Sequence, residues 1–211
     1  MNAMNGIHRA ADIRKDLRLI ADMVRPGSRV LDVGCGDGAL LDHLTRNKQV
    51  DGRGIEIKQS GVNACVTQGL SVIQGDADSD LADYPSGAFD YVILSLTLQA
   101  TRNPRQVLQQ MLRIGRHAIV SFPNFGYWKV RLSLAWHGRM PVTGVLGDPW
   151  HSTPNIHLCT IRDFDDLCAE LNILIETRVP VTGIGKPGSP RSPAFFANLL
   201  GEQAVYLLRQ R

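Results

Sequence analysis

Apolar positions along the chain change period several times, and each change marks an element. Ile13, Leu17, Ile20 and Val24 recur at helical spacing with Arg14, Lys15, Arg18 and Asp22 on the opposite side, which predicts an amphipathic lead-in helix over residues 8–24. Arg25-Pro26-Gly27 breaks it, and the apolar run Arg29 to Val33, closed by glycines, has the length of a strand. The alternation continues with a helix over Ala39 to Arg46, a strand over Gly54 to Ile57, a helix over Gln59 to Gln68 and a strand over Leu70 to Gln74. Phe89 to Leu96 is apolar at nearly every position, the mark of a central strand covered on both faces. Asn103 before Pro104 supplies a cap and a first-turn proline for a helix over 104–115, with Val107, Leu108, Met111 and Leu112 at core spacing. His117 to Ser121 reads as a fifth strand. Regularity then lapses until Thr160, where Thr160 and Asp163 form a capping-box pattern for a helix reaching Leu171. Strands at Ile173 to Pro180 and Gln203 to Arg209 close the chain, separated by residues 181–201, whose glycine, proline and serine predict a long surface loop.

Strands alternating with short helices imply right-handed crossovers and a parallel sheet covered on both faces, a Rossmann-like α/β fold. The 211 residues, 44% of them apolar, suffice for one core, and with no internal repeat the expectation is a single domain over 1–211. Residues 122–158 are long for a connection in a compact domain and read as an insertion.

Bulk chemistry narrows the function classes. The net charge of +3 is mild and the basic residues are scattered, so nucleic acid is not indicated. The start lacks the continuous apolar segment of a secretory leader, and no apolar run approaches membrane-spanning length, which points to a cytoplasmic chain without membrane association. Cys35, Cys65, Cys159 and Cys168 form no CxxC pair, as expected for reduced thiols, and His151, His157 and Cys159 fall short of a metal-ligand set.

The chemistry concentrates in Val30 to Gly38, VLDVGCGDG, where a strand runs into a glycine cluster and then a helix. In that arrangement backbone can approach a ligand closely at a helix N-terminus. Gly34, Gly36 and Ala39 fit the dinucleotide spacing, while Gly34, Gly36 and Gly38 fit the acidic GxGxG form of methyltransferases. Charge separates the two, because Asp32 and Asp37 bracket the turn and would repel a pyrophosphate. A ligand with a sulfonium and an ammonium suits those carboxylates. Glu56 ends the next strand roughly twenty residues on, where a carboxylate can accept from both ribose hydroxyls. After the third strand, Gly75-Asp76-Ala77 can present Asp76 to an adenine amino group and a backbone N–H to a ring nitrogen.

Together the loop, Glu56 and Asp76 resemble class I S-adenosylmethionine (SAM)-dependent methyltransferases over Arg29 to Ser121. The resemblance implies a seven-stranded sheet in the order 3-2-1-4-5-7-6 with strand seven antiparallel, and Gln203 to Arg209 fits that closing strand. The candidate site for SAM or S-adenosylhomocysteine then comprises Asp32, Gly34, Cys35, Gly36, Glu56, Ile57, Asp76, Ala77 and Ser95. A narrower resemblance spans nearly the whole chain: GLSVIQGDAD, FDYVILSLTLQATRNP, SFPNFGYWKVRLSLAWHGRMPVT and TPNIHLCTIRDF are similar to the MetW family of methionine biosynthesis. It implies an accessory or regulatory partner of a homoserine O-acyltransferase, MetX, rather than a methylating enzyme.

Residues themselves say little about catalysis. Leu94-Ser95-Leu96-Thr97 is not the Asp/Asn-Pro-Pro-aromatic string of exocyclic-amine methyltransferases, and no cysteine follows a proline as in cytosine C5 enzymes. No catalytic residue is assigned; Tyr127, His151 and His157 are the only plausible bases. The insertion holds Trp128, Trp136 and Trp150 with Met140, Lys129, Arg131 and Arg139, types enriched at protein interfaces, so it is the expected contact with MetX. The alternatives are a methyltransferase acting on a small molecule, with the insertion as its lid, and a nucleotide-binding oxidoreductase.

Overall fold

The computed structural model describes residues 13–182 and 186–211. Seven strands form one sheet in the order β3-β2-β1-β4-β5-β7-β6, as the methyltransferase resemblance implied. They are β1 (Arg29–Val33), β2 (Asp51–Glu56), β3 (Ser71–Gln74), β4 (Phe89–Ser95), β5 (Gly115–Pro123), β6 (Ile173–Val181) and β7 (Gln203–Gln210). The β3-β2-β1-β4-β5 run is parallel, and β7 lies antiparallel to both β5 and β6. Helices α1 (Lys15–Met23), α2 (Ala39–Lys48), α3 (Gln59–Thr67), α4 (Pro104–Ile114), α5 (Trp128–His137), α6 (Ile161–Glu170) and α7 (Ala194–Leu200) complete it.

Two cores explain why β4 carries no polar face. Val92 and Leu94 join one cluster with Val107, Met111, Ile161 and Phe164 from α4 and α6. Tyr91 and Ile93 join the other with Leu17, Ile20, Leu40 and Leu44 from α1 and α2. Side chains of a strand alternate between sheet faces, so a strand with helices on both must be apolar throughout. Adjacent crossovers leave β1 toward β2 on one side and the β4 half on the other. A crevice therefore opens at the carboxyl ends of β1 and β4, where open α/β sheets bind ligands.

Caps start two helices where the residues predict. Asn103 Oδ1 accepts from the Gln106 N–H, with Pro104 in the first turn of α4. Thr160 Oγ1 accepts from the Asp163 N–H while the Asp163 carboxylate accepts from the Thr160 N–H, a reciprocal capping box for α6. Thr160→Ala is expected to cost about 1 kcal/mol, read as a lowered denaturation midpoint at unchanged slope.

Several expectations are corrected. The lead-in helix begins at Lys15, and residues 8–12 of the predicted span lie outside the described residues. The second strand runs from Asp51 to Glu56, so Ile57 lies beyond its end. Strand β4 stops at Ser95, because Leu96 turns into left-handed backbone at φ +50°. Its N–H still donates to the Ser121 carbonyl and hydroxyl. Strand β5 reaches Pro123, so Phe122 and Pro123 belong to the sheet rather than to the insertion. The insertion is not irregular throughout, since it contains α5, and the predicted surface loop contains α7. Helix α5, WKVRLSLAWH, is apolar on opposite sides and so shows no single-faced period.

Candidate functional site

The crevice is built on the turn between β1 and α2. Gly34 and Gly36 adopt φ +72° and +59°, and a side chain at Gly34 would strike Thr97. The Gly34 and Cys35 N–H groups both donate to the Ile55 carbonyl, at 2.8 and 3.1 Å, which ties the turn to the end of β2. Glu56, 7% exposed, sits beneath the turn. Its carboxylate accepts from the Gly36 N–H at 2.8 Å and the Lys58 N–H at 2.9 Å. Two oxygens offer about four acceptor positions, so half of its capacity remains for hydroxyl donors.

Asp32, at 2% exposure, is the unusual group. Among the described residues no N–H, hydroxyl or cation pairs with its carboxylate. Burial first, and the nearby Glu56 charge second, raise its pKa to about 7. The same burial and carboxylates push the Cys35 thiol upward, so it is a poor nucleophile. Two buried carboxylates without a protein cation form a place for a cationic ligand, and the donor set fits SAM: Asp32 for positive charge, Glu56 for ribose hydroxyls.

Gly34, Ile57, Asp76 and Ala77 line one cavity of about 110 Å³, together with Asp78, Thr97 and Thr101. Asp32, Cys35, Gly36 and Glu56 stand beneath its glycine wall rather than in its lining. Ser95 is not among the lining residues; its hydroxyl lies 3.3 Å from that of Ser121, and Thr97, two residues on, takes the place at the cavity. Asp76 Oδ1 accepts from the Asp78 N–H, a local turn that leaves its second oxygen for a ligand.

Sequence reasoning passed over four positions. Asp78 accepts from the Arg102 N–H at 2.8 Å and from the Asn103 N–H at 3.0 Å, joining the segment after β3 to the segment after β4. Its signal was the alternating acids of GDADSD, of which only Asp76 was taken. Asp78→Ala is expected to cost about 1.5 kcal/mol, the low end for hydrogen bonds to a charged group, measurable by chemical denaturation. Thr97 and Thr101 gave no signal, being ordinary polar residues in a turn. Gly61, on α3, lies so close to the loop that a Cβ there would come within 2.7 Å of both the Gly36 carbonyl and the Glu56 side chain. A solitary glycine in a helix pattern marks such close approach without saying to what.

A family model described as "Methionine biosynthesis protein MetW" matches residues 14–208. The chain belongs to the MetW family. It is 40% identical over 173 residues to the "Bifunctional methionine biosynthesis protein MetXA/MetW" of Rhodopirellula baltica, a match over 78% of this chain and 28% of that protein. The chain spans less than a third of the length of the curated relatives it matches. Among solved structures it is similar to a SAM-dependent methyltransferase of Thermotoga maritima, described as a possible histamine N-methyltransferase. That likeness has a TM-score of 0.67 at 15% identity and covers 93% of this chain and 88% of the other. A SAM-dependent methyltransferase of Archaeoglobus fulgidus aligns with a TM-score of 0.65 at 16% identity, over 93% and 91% of the two chains. At these identities the likeness establishes the methyltransferase fold, which hosts many functions. Among the described residues no helix is long and apolar enough to cross a membrane.

Proposed function

We propose that this MetW-family chain binds SAM or S-adenosylhomocysteine in the crevice and acts in the cytoplasm as an accessory or regulatory partner of a homoserine O-acyltransferase, MetX. The observation that carries the ligand reading is Asp32, a buried carboxylate with no partner among the described residues, next to the half-used Glu56. Asp32, Gly34, Cys35 and Gly36 would hold the amino acid part, Glu56 and Ile57 the ribose, and Asp76 and Ala77 the adenine. Ser95 keeps only a supporting place, at the end of β4 beside Thr97. The partner reading is supported by the Rhodopirellula relative, whose printed name joins MetXA and MetW in one protein.

A physical link exists for passing ligand occupancy to the insertion. The turn over 97–101 lines the cavity with Thr97, Ala100 and Thr101. On the same turn the Gln99 carbonyl accepts from the Ile156 and His157 N–H groups, both at 2.9 Å, and these hold the returning limb of the insertion. A ligand that shifts this turn must shift that limb, and regulation requires SAM to bind the free and partnered states unequally. The test is homoserine acylation by purified MetX of the same cell, with and without this protein, across a SAM titration. Activity that depends on the protein and responds to SAM is expected. The same activity and the same SAM response in both arms would end the reading.

One observation favours a second reading, methyl transfer to a small molecule. Phe125, Met140, Leu146, Trp150 and Leu158 line a cavity of about 110 Å³ in the insertion with Asp148, Thr153 and Asn155, mostly apolar with a few polar groups as small-molecule sites are. Incubating labelled SAM with cell extract separates the two, since only this reading expects label transfer that disappears in Glu56→Ala.

A further inference from the structure

Helix α5 buries only one of its two apolar sides. At about 100° per residue, Val130 and Leu134 share one side, where Val130 is buried and Leu134 half-buried. Trp128, Leu132, Ala135 and Trp136 share the other, and it faces solvent: Trp128 is 39%, Leu132 51% and Trp136 85% exposed. Lys129 and Arg131 fall at the two edges of this stripe, with the Lys129 ammonium 5.7 Å from the Trp128 ring centre. From Phe122 to Gly147 the sequence contains no Asp or Glu. Among the described residues Lys129, Arg131 and Arg139 form no ion pair.

The helix is held rigidly at its base. Asn124, 1% exposed, donates to the Asn198 and Gly201 carbonyls and accepts from the Gly126 and Ile161 N–H groups. The Arg131 Nε donates to the Gly126 carbonyl, which fixes the first turn of α5 to that hub. A rigid platform bearing two exposed indoles loses little entropy when it is covered, and Trp and Arg are the residues that dominate interface energy.

We infer that the outward face of α5 is where the acyltransferase docks, seated in an apolar groove of that enzyme whose rims carry carboxylates. The inference rests on the partner reading above and adds the surface. Charge argues for such an occupant, because cations on both edges with no acid in the segment are complementary to carboxylates on a partner. A second copy of this chain meeting the stripe across a two-fold axis would bring the same cations together. The Rhodopirellula relative, with MetXA and MetW in one polypeptide, fits two surfaces that meet often.

The experiment uses the full chain and the purified acyltransferase of the same cell. Leu132→Glu combined with Trp136→Glu is expected to weaken partner affinity at least tenfold with SAM affinity unchanged. Partner affinity equal to wild type would overturn the surface while leaving the function reading intact. A wild-type chain that fails to bind the acyltransferase at all would sink that reading and this inference with it. If the double variant loses SAM binding through misfolding, Lys129→Glu with Arg139→Glu takes its place. The same weakening is then expected, and unchanged affinity overturns the surface. Wild-type binding to phosphatidylglycerol vesicles, or self-association, that the variants abolish while acyltransferase affinity stays intact would reassign the face and overturn the proposal.

Discussion

Glu56→Ala is expected to weaken SAM binding by about tenfold to a hundredfold, the equivalent of losing charge-assisted hydrogen bonds of roughly 1.5 to 3 kcal/mol. Glu56 accepts from the Gly36 and Lys58 N–H groups, and its two remaining acceptor positions are those that the proposal assigns to ribose hydroxyls. Truncation removes both functions at once. The glycine turn loses its lower clamp, and two part-buried N–H groups lose their acceptor, so a fall in stability should accompany the fall in affinity. Glu56→Gln separates the two effects. The amide oxygen can still accept from one backbone N–H, so stability should fall less, while the loss of charge still weakens ribose binding. Calorimetry that finds wild-type affinity in Glu56→Ala would remove this residue from the site. It would also undercut the choice of a nucleoside ligand, because Glu56 is the side chain to which the proposal assigns both hydroxyls.

The elements that sequence resolved are those in which local pattern and tertiary role agree. The uniform apolarity of Phe89 to Leu94 follows from β4 feeding both cores, and the two caps are local hydrogen bonds written in adjacent residues. Strand order is different in kind. Nothing in the period of Gln203 to Arg209 says that β7 enters antiparallel between β5 and β6, and that placement came from resemblance alone. Helix α5 escaped because its second apolar side is exposed to solvent, so the pattern that a surface helix normally carries is blurred. Helix α7 escaped for a related reason, as Phe195, Phe196 and Leu200 are exposed while only Ala197 and Asn198 are buried.

Site residues divide in the same way. Gly34 and Glu56 were legible because the chain places them at ends of adjacent parallel strands, so sequence spacing becomes spatial proximity. Asp78, Thr97 and Gly61 reach the crevice through contacts between segments about twenty or more residues apart, and single-chain spacing cannot record such contacts. The partnerless state of Asp32 was equally hidden. Sequence placed an acid beside the turn, but only packing reveals that no Lys, Arg or N–H among the described residues answers it.

That state of Asp32 makes SAM affinity and fold stability respond to pH with opposite signs. Its pKa rises from the ordinary 3.8 to about 7 in the folded chain, chiefly through burial and then through Glu56. Between those values the folded state holds a proton that the unfolded state has released. Stability from this group is therefore full below about pH 4 and is lost as pH rises toward 7, with a limiting slope of about 1.4 kcal/mol per unit. A cationic ligand prefers the ionised carboxylate, so its affinity should rise over the same range, approaching about tenfold per unit well below pH 7 and levelling above it. Binding should release a proton to buffer near neutrality, visible as a calorimetric enthalpy that depends on the ionisation heat of the buffer. S-adenosylhomocysteine keeps the ammonium and lacks the sulfonium, so its affinity should follow pH less steeply if Asp32 senses both charges. Asp32→Asn should flatten the dependence of stability and of affinity together, at an affinity near that of wild type at low pH. A wild-type affinity that is level from pH 5.5 to 8 would mean that Asp32 does not face the cation, and the charge argument that favours SAM over a dinucleotide would fail with it.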